Sequence, residues 1–421
     1  MCIWKIRGGE RLFGRVRVQG AKNGVLPIMA ASILAPCETE LTNCPDLRDV
    51  RSCIRILEHL GCAVERDGDT ICIDSRPLCR CAVPPELMRE MRSSVICLGA
   101  MLARCGCAEL TRPGGCELGP RPIDLHLEAL RALGAEIEED GCSVRCRAAG
   151  GLRGCAIRLR CPSVGATENA MLAACAAEGE TTIENAAREP EIVDLQSYLR
   201  ALGADIEGAG SGRIQIRGFC PVERVGHRIL PDRIAAATLL CSGAAAGGDI
   251  ALCGAEPGHL LPVTEALRAM GCEIRAEKSV VRLISDGRLR AAPPVETAPY
   301  PGFPTDAQPL LLAASLRAKG TAVFTENVFS DRFRYTEELR KLGARIRTDG
   351  RTALVTGVEK LTGCPVKATD LRGGAALILA GLCAEGETLV SDDGHVERGY
   401  EDLDGQLRQL GASVEKRREL C

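Results

Sequence analysis

One pattern of apolar and polar positions recurs six times along the chain. Apolar residues three or four apart run up to a Leu-Gly or Met-Gly step, and alternating residues follow it. The copies are ILEHLGCAV, ALRALGAEI, YLRALGADI, ALRAMGCEI, ELRKLGARI and QLRQLGASV, with glycines at Gly61, Gly134, Gly203, Gly271, Gly343 and Gly411. Subtracting successive numbers gives intervals of 73, 69, 68, 72 and 68 residues. The spacing predicts an amphipathic helix that stops at a glycine in the left-handed position after its last turn. The alternation behind it predicts a strand.

A second pattern keeps step with the first. An alanine-rich helix ends near glycine and enters another strand: MLARCGCAEL, MLAACAAEGETTIE, LCSGAAAGGDIAL, LAASLRAKGTAVF and LAGLCAEGETLV, with SILAPCETEL in the first unit. Each unit therefore carries two helices and at least two strands. The period exceeds that of ordinary solenoids and suits small α+β subdomains, three to a globule. Three units precede residue 230 and three follow it. The stretch 229–234, ILPDRI, is the expected crossing point, and the N-terminal residues pair back with the second half.

Length supports this division, because 421 residues exceed one ordinary core. Composition narrows the partners. A net charge of −3 with no basic stripe argues against nucleic acid. Aromatics at 3% leave no base-stacking platform. No apolar run reaches membrane-spanning length, and the N-terminus lacks a signal-peptide core. A cytoplasmic protein with no membrane insertion is expected. The 24 cysteines contain no CxxC…CxxC pair. Cys79/Cys81 and Cys105/Cys107 are too isolated to read as zinc sites, so most cysteines read as reduced, small, buried apolar residues.

Four polar clusters interrupt the repeat. QGAKNGVLP places Lys22 and Asn23 at a glycine-flanked helix start, which suits an anion or is simply a solvated helix end. RPGGCELGPRPIDLHL presents Cys116 on a glycine- and proline-rich loop near Arg112 and Arg121. Such cations favour a thiolate; the alternative is an incidental loop cysteine. PGFPTDAQ holds Asp306 before a helical run, where it either caps the helix or serves chemistry. TDLRGGAA, with Asp370 and Arg372, and HVERGYEDL, with Arg398, set arginines beside glycines. They can fork onto a phosphate or carboxylate or form surface ion pairs.

Taken together the chain resembles the UDP-N-acetylglucosamine 1-carboxyvinyltransferases over essentially its whole length. The resemblance rests on AKN at 21–23, MRSS at 91–94, PGGC at 113–116, GPRPIDLH at 119–126, SVGAT at 163–167 and ENAAREPEIVDL at 184–195. It continues with LPDRI at 230–234, FPTDAQ at 303–308, DRF at 331–333, ATDLR at 368–372 and ERGYE at 397–401. It implies an α/β (α+β) fold, an inside-out α/β barrel of two globular domains, each of three βαβαββ units. One domain would span 22–230 and the other 231–421, completed by residues 1–21, with the site assembled by closure between them.

The resemblance also implies an activity: transfer of the enolpyruvyl group of phosphoenolpyruvate to UDP-N-acetylglucosamine, the first committed step of peptidoglycan synthesis. Lys22, Arg121 and Arg398 would grip phosphoenolpyruvate, with Asn23 and Arg92 close by. Asn23, Arg92, Arg121, Pro122, Ile123, Asp124, Leu125, Ser163, Val164, Gly165, Asp306 and Val328 would hold the UDP-sugar. Asp306 would act as general base and Cys116 as general acid, with Arg332, Asp370 and Arg372 in support. No metal or organic cofactor is implied, and no Walker loop or dinucleotide fingerprint is present. Two positions depart from the family pattern. Cys161 stands where a basic residue is frequent, which puts a nucleotide contact in doubt. Gly373 replaces a frequent alanine, a change expected to loosen that helix start by about 1 kcal/mol. Three rivals remain: an enolpyruvylshikimate-phosphate synthase, which lacks the PGGC and RPIDLH runs; a non-catalytic UDP-sugar-binding paralogue; and a cysteine-rich metal or redox binder.

Overall fold

The computed structural model describes residues 2–111, 118, 122–141 and 143–418, with Arg92 and Ser93 described by their backbone alone. Six four-stranded sheets carry the repeat. In one of them Ala156–Arg158 pairs in parallel with Thr181–Glu184. That strand pairs antiparallel with Arg213–Phe219, and Ala204–Glu207 lies beyond. The other five sheets follow the same scheme of one parallel and two antiparallel pairings. A parallel pair needs a long crossover, and in this sheet the helix Val164–Ala174 supplies it.

The chain packs as two compact units, one of 2–19 with 231–418 and the other of most of 20–230. The packing boundary falls between Gln19 and Gly20, two residues ahead of the expected 21/22, and between Leu230 and Pro231. Each unit has its own apolar core. In the first, strand Cys2–Arg7 fills a gap between Glu387–Asp392 and Ser413–Arg418, and Leu12–Arg17 pairs with Gly248–Cys253. In the second, Arg224–Arg228 pairs in parallel with Glu38–Thr42, so the unit's last strand completes its first sheet.

Two kinds of helix follow from the two sequence patterns. Lys22–Ala31, Cys97–Cys105 and Val164–Ala174 in one unit, and Arg233–Ala246, Gln308–Ala314 and Leu371–Leu382 in the other, are buried along most of their length. They are rich in alanine, glycine and leucine with no polar face, as interior helices must be. The second set is amphipathic. Arg48–Leu60, for example, buries Val50, Cys53, Ile56, Leu57 and Leu60. All six glycines of the repeated phrase have positive φ, from 92° at Gly343 to 113° at Gly203, the conformation that only glycine adopts without strain. Among the described residues no helix is long and apolar enough to cross a membrane.

Candidate active site

The starts of the interior helices carry most of the polar residues singled out above. In the 20–230 unit, Lys22 opens the helix Lys22–Ala31. Its Nζ lies 2.6 Å from Asp49 Oδ2, with Asp49 fully buried at the start of the next helix. An acid there is shielded from water and paired, which fixes the ammonium group. Asn23 beside it is exposed. Arg92 begins the 3-10 turn Arg92–Ile96 that leads into Cys97–Cys105. Its side chain, and the whole of Cys116 and Arg121, lie outside the described residues.

The segment after that loop packs on the Ser163 turn. Asp124 opens the helix Asp124–Ala132 and is paired with Arg160, which also reaches Glu128 at 3.0 Å. Pro122 is exposed, Ile123 is buried, and Leu125 is half-buried. Ser163 caps the helix Val164–Ala174 by accepting from the Ala166 N–H at 3.4 Å. Val164 and Gly165 are partly exposed at that helix start. A Cβ on Gly165 would stand 2.8 Å from His126 Cε1, so the two segments touch. His126 Nδ1 accepts from Asn169 Nδ2 at 2.8 Å, and burial pushes this imidazole down to about 4, which keeps it neutral. Cys161 is exposed, and the neighbouring cation is Arg160.

In the other unit Asp306 does not cap the helix that follows it. That helix, Gln308–Ala314, starts after Ala307 without any side-chain cap. Arg332 Nη2 donates to Asp306 Oδ1 at 2.8 Å, and Arg372 donates to Oδ2 from Nη2 at 3.2 Å and from Nε at 3.3 Å. The arginine side chains are 1% and 3% exposed, the carboxylate 29%. A carboxylate gripped on both oxygens by buried guanidiniums is held in one orientation. Asp370 Oδ1 caps the helix Leu371–Leu382 through the N–H groups of Arg372 and Gly373, both at 3.0 Å, and approaches Arg332 Nη1 at 3.9 Å. Arg372 lies over the Tyr400 ring, 5.2 Å from its centroid, and Tyr400 Oη is 2.8 Å from Thr238 Oγ1. Arg398 ends the 3-10 turn Val396–Arg398 and is partly exposed, and Val328 is exposed.

Two residues were not singled out from the sequence. Asp49 lies in the unremarkable run DLRDVRS, with no local signal for its role. Glu326 is fully buried. Its Oε1 accepts from the N–H groups of Val328 and Phe329 at 2.8 and 3.0 Å, and Oε2 accepts from Thr305 Oγ1 at 3.0 Å. Thr305 in turn offers its carbonyl to Arg332 Nη2 at 2.8 Å, and Arg332 stands 5.5 Å from the Phe329 ring centroid. Glu326 thus ties the Val328 turn to the segment that aims Asp306. An acid two residues before an exposed valine, in FTENVF, was the available signal.

The chain has counterparts among known proteins along nearly its whole length. The profile of the EPSP synthase (3-phosphoshikimate 1-carboxyvinyltransferase) family matches residues 6–407. A UDP-N-acetylglucosamine 1-carboxyvinyltransferase 2 of Caldanaerobacter subterraneus subsp. tengcongensis is 47% identical over 414 residues, covering 98% of this chain and 99% of that protein. The chain belongs to the UDP-N-acetylglucosamine 1-carboxyvinyltransferases, within the EPSP synthase family. It is therefore a transferase. A UDP-N-acetylglucosamine 1-carboxyvinyltransferase 1 of Symbiobacterium thermophilum is 48% identical over 416 residues, 98% of this chain and 94% of that one. Among solved structures, the enolpyruvyl transferase NikO from Streptomyces tendae superposes with a TM-score of 0.88 at 29% identity, over 99% of this chain and 98% of that one. An EPSP synthase from Acinetobacter baumannii reaches 0.74 at 20% identity and shares the fold alone.

Proposed function

We propose that this enzyme transfers the enolpyruvyl group of phosphoenolpyruvate to the 3′-hydroxyl of UDP-N-acetylglucosamine and releases inorganic phosphate, opening peptidoglycan synthesis in the cytoplasm. The observation that carries the reading is Asp306, held on both oxygens by buried arginines and yet 29% exposed. A capping aspartate would have spent its oxygens on the helix. This one is turned toward solvent at 29% exposure, where it would take the hydroxyl proton as general base. The names of the 47–48% identical relatives support the choice of sugar nucleotide.

The chemistry is an addition followed by an elimination. The 3′-oxygen bonds to C2 of phosphoenolpyruvate as its proton passes to Asp306. Cys116 gives a proton to C3, and a tetrahedral ketal results. A proton then leaves C3, the C2–phosphate oxygen bond breaks, and the enol ether forms. Lys22, Arg121 and Arg398, with Asn23 and Arg92, offset the charge of phosphoenolpyruvate. Several cations are needed because that ligand is polyanionic and must leave water. Pro122, Ile123, Asp124, Leu125, Ser163, Val164, Gly165 and Val328 join Asn23, Arg92, Arg121 and Asp306 in holding the UDP-sugar. Arg332, Asp370 and Arg372 orient Asp306. Neither nucleic acid nor membrane takes part, and neither a metal nor an organic cofactor is needed.

Phosphate release from phosphoenolpyruvate tests this, with UDP-N-acetylglucosamine or shikimate 3-phosphate as acceptor and with or without the epoxide fosfomycin. Release that requires the sugar nucleotide, and stops when fosfomycin labels Cys116, is the expected result. Release with shikimate 3-phosphate alone would transfer the chain to the sister activity. No release with either acceptor would leave a non-catalytic paralogue.

A further inference from the structure

Among the described residues 21 cysteines are free. Ten are buried, six half-buried and five exposed, so the reading of cysteine as a small core residue holds for fewer than half outright. Burial pushes Cys62 and Cys97 up to about 12, which leaves no thiolate to react. The two Cys-x-Cys tripeptides behave differently. They look isolated along the chain, but the sheet joins them. Strand Ala82–Val83 runs parallel to Cys107–Thr111, with Ala82 opposite Glu109 and Val83 opposite Leu110. The Glu109 N–H donates to the Cys81 carbonyl at 2.8 Å. Cys107 Sγ stands 2.9 Å from Cys81 Sγ, and both residues are half-buried. A formed disulfide measures about 2.05 Å, so the two sulfurs need only a small approach. Among the described residues no three His, Cys, Asp or Glu side chains gather as a metal site, which leaves the thiol pair without the ligands of a zinc centre.

We propose that Cys81 and Cys107 are a redox couple that closes to a disulfide when a peroxide reaches it. One sulfur, as thiolate, attacks a peroxide oxygen; the S–O bond forms, the O–O bond breaks and hydroxide leaves, taking up a proton as water. The second sulfur then attacks the sulfenic sulfur, the S–S bond forms and a second water departs. Two thiols and one hydrogen peroxide become one disulfide and two waters, the thiols oxidised and the peroxide reduced. The hydrogen bond shared with Cys107, which holds the Cys81 proton, and then burial push Cys81 up to about 11, so the reaction quickens as pH rises through the alkaline range. The bridge would close the segment 81–107, which contains the helices Pro85–Glu90, Arg92–Ile96 and Cys97–Cys105. Tying both ends of that segment restricts the unfolded chain.

The test uses the full-length reduced protein at mildly alkaline pH with a small excess of hydrogen peroxide, followed by non-reducing tryptic mapping. The expected product joins the 81–89 peptide to the fragment that starts at Cys105, with the loss of two hydrogens, and dithiothreitol reverses it. That fragment also holds Cys116, because the Arg112–Pro113 bond resists trypsin. Variants therefore decide the partner: Cys107→Ser abolishes the link and Cys105→Ser preserves it. Oxidation also raises the melting temperature by a few degrees, and does not in Cys81→Ser. The proposal is overturned if Cys81 stays free while the exposed Cys72, Cys161 and Cys220 are oxidised, or if the link survives Cys107→Ser.

Discussion

The two units start their interior helices differently. In the 20–230 unit, Lys22–Ala31 and Cys97–Cys105 begin with no side-chain cap and no acid in the first turn, and only Ser163 caps the third. In the other unit Asp232 accepts from the N–H groups of Ile234 and Ala235, and Asp370 accepts from those of Arg372 and Gly373. A helix start is a ready anion site until an acid fills it. In the 20–230 unit the helix Lys22–Ala31 thus starts with no acid on its N–H groups and with Lys22 at its first position, which is what the proposed anion-binding role asks for. The other unit fills two of its helix ends with its own acids and presents a restrained carboxylate, Asp306. On the proposed reading, one repeat fold, used twice, yields an anion-binding half and a proton-accepting half.

The largest expected effect tests how each unit treats a buried acid. Glu168, on the helix Val164–Ala174, is 6% exposed. Burial first, and then Glu191 and Glu189, push it up to about 8. A raised carboxyl contributes stability that is complete below its ordinary 4.5 and is lost as pH rises through about 8. At about 1.4 kcal/mol per pH unit between 4.5 and about 8 the whole loss comes to about 5 kcal/mol, of which about 2 kcal/mol falls above pH 6.5. His126, held down near 4, is neutral in the fold throughout this window, and its unfolded form sheds its remaining proton just above pH 6.5 at an opposite effect of only about 0.4 kcal/mol. Urea unfolding from pH 6.5 to 9 is expected to show falling stability in the wild type and a nearly flat line in Glu168→Gln. Equal slopes would mean that Glu168 is neutralised by a partner, and that the interior of this unit is no harsher to acids than that of the other.

Next in size is the base itself. Asp306→Asn keeps an oxygen for one arginine but cannot accept a proton. Turnover should fall about 10²-fold or more, with UDP-N-acetylglucosamine affinity, measured by calorimetry, changed no more than a few-fold. Near-normal turnover would remove the proton-accepting role from this half. A smaller effect separates positioning from chemistry. Thr305→Val removes the hydroxyl that donates to Glu326, and Glu326→Gln weakens its acceptors; both loosen the segment whose Thr305 carbonyl holds Arg332, without touching Asp306. A lost hydrogen bond of about 1 kcal/mol translates into a five- to tenfold lower kcat, with the KM for phosphoenolpyruvate unchanged. If both variants keep wild-type kcat, the Glu326 network is structural only.

Much of this was legible in the chain because the repeat writes its physics locally. Glycine after an amphipathic run, and alanine-rich stretches with no polar face, name outer and inner helices without reference to anything distant. The candidate site was legible only as single residues. Nothing near PGFPTDAQ shows that Arg332 and Arg372 will close on Asp306, since they lie 26 and 66 positions away, and helix capping was the better local account. Asp49 was missed for the same reason: its meaning comes from Lys22, 27 residues earlier by subtraction. Cys81 and Cys107 were set aside because a sequence shows spacing but not which strands will lie side by side.

The smallest expected effect concerns Gly373, where a local rule and the packing disagree. Helix propensity alone promises about 1 kcal/mol from Gly373→Ala. A Cβ there, however, would stand 2.5 Å from Asp370 Oδ2 and 2.7 Å from Tyr335 Cβ. The aspartate oxygen can swing aside, but the Cβ of the fully buried Tyr335 cannot. Turning Asp370 loosens the cap it makes on the N–H groups of Arg372 and Gly373, worth about 1 kcal/mol, and carries its Oδ1 away from Arg332. The propensity gain is thus offset by the cap and by strain against Tyr335. Thermal unfolding of Gly373→Ala should show an unchanged or slightly lower melting temperature, together with a modest loss of kcat as Arg372 shifts beneath Asp306. A rise of several degrees with full activity would show that the acid-filled helix start tolerates rearrangement, and would weaken the contrast between a restrained carboxylate in this unit and open helix ends in the other.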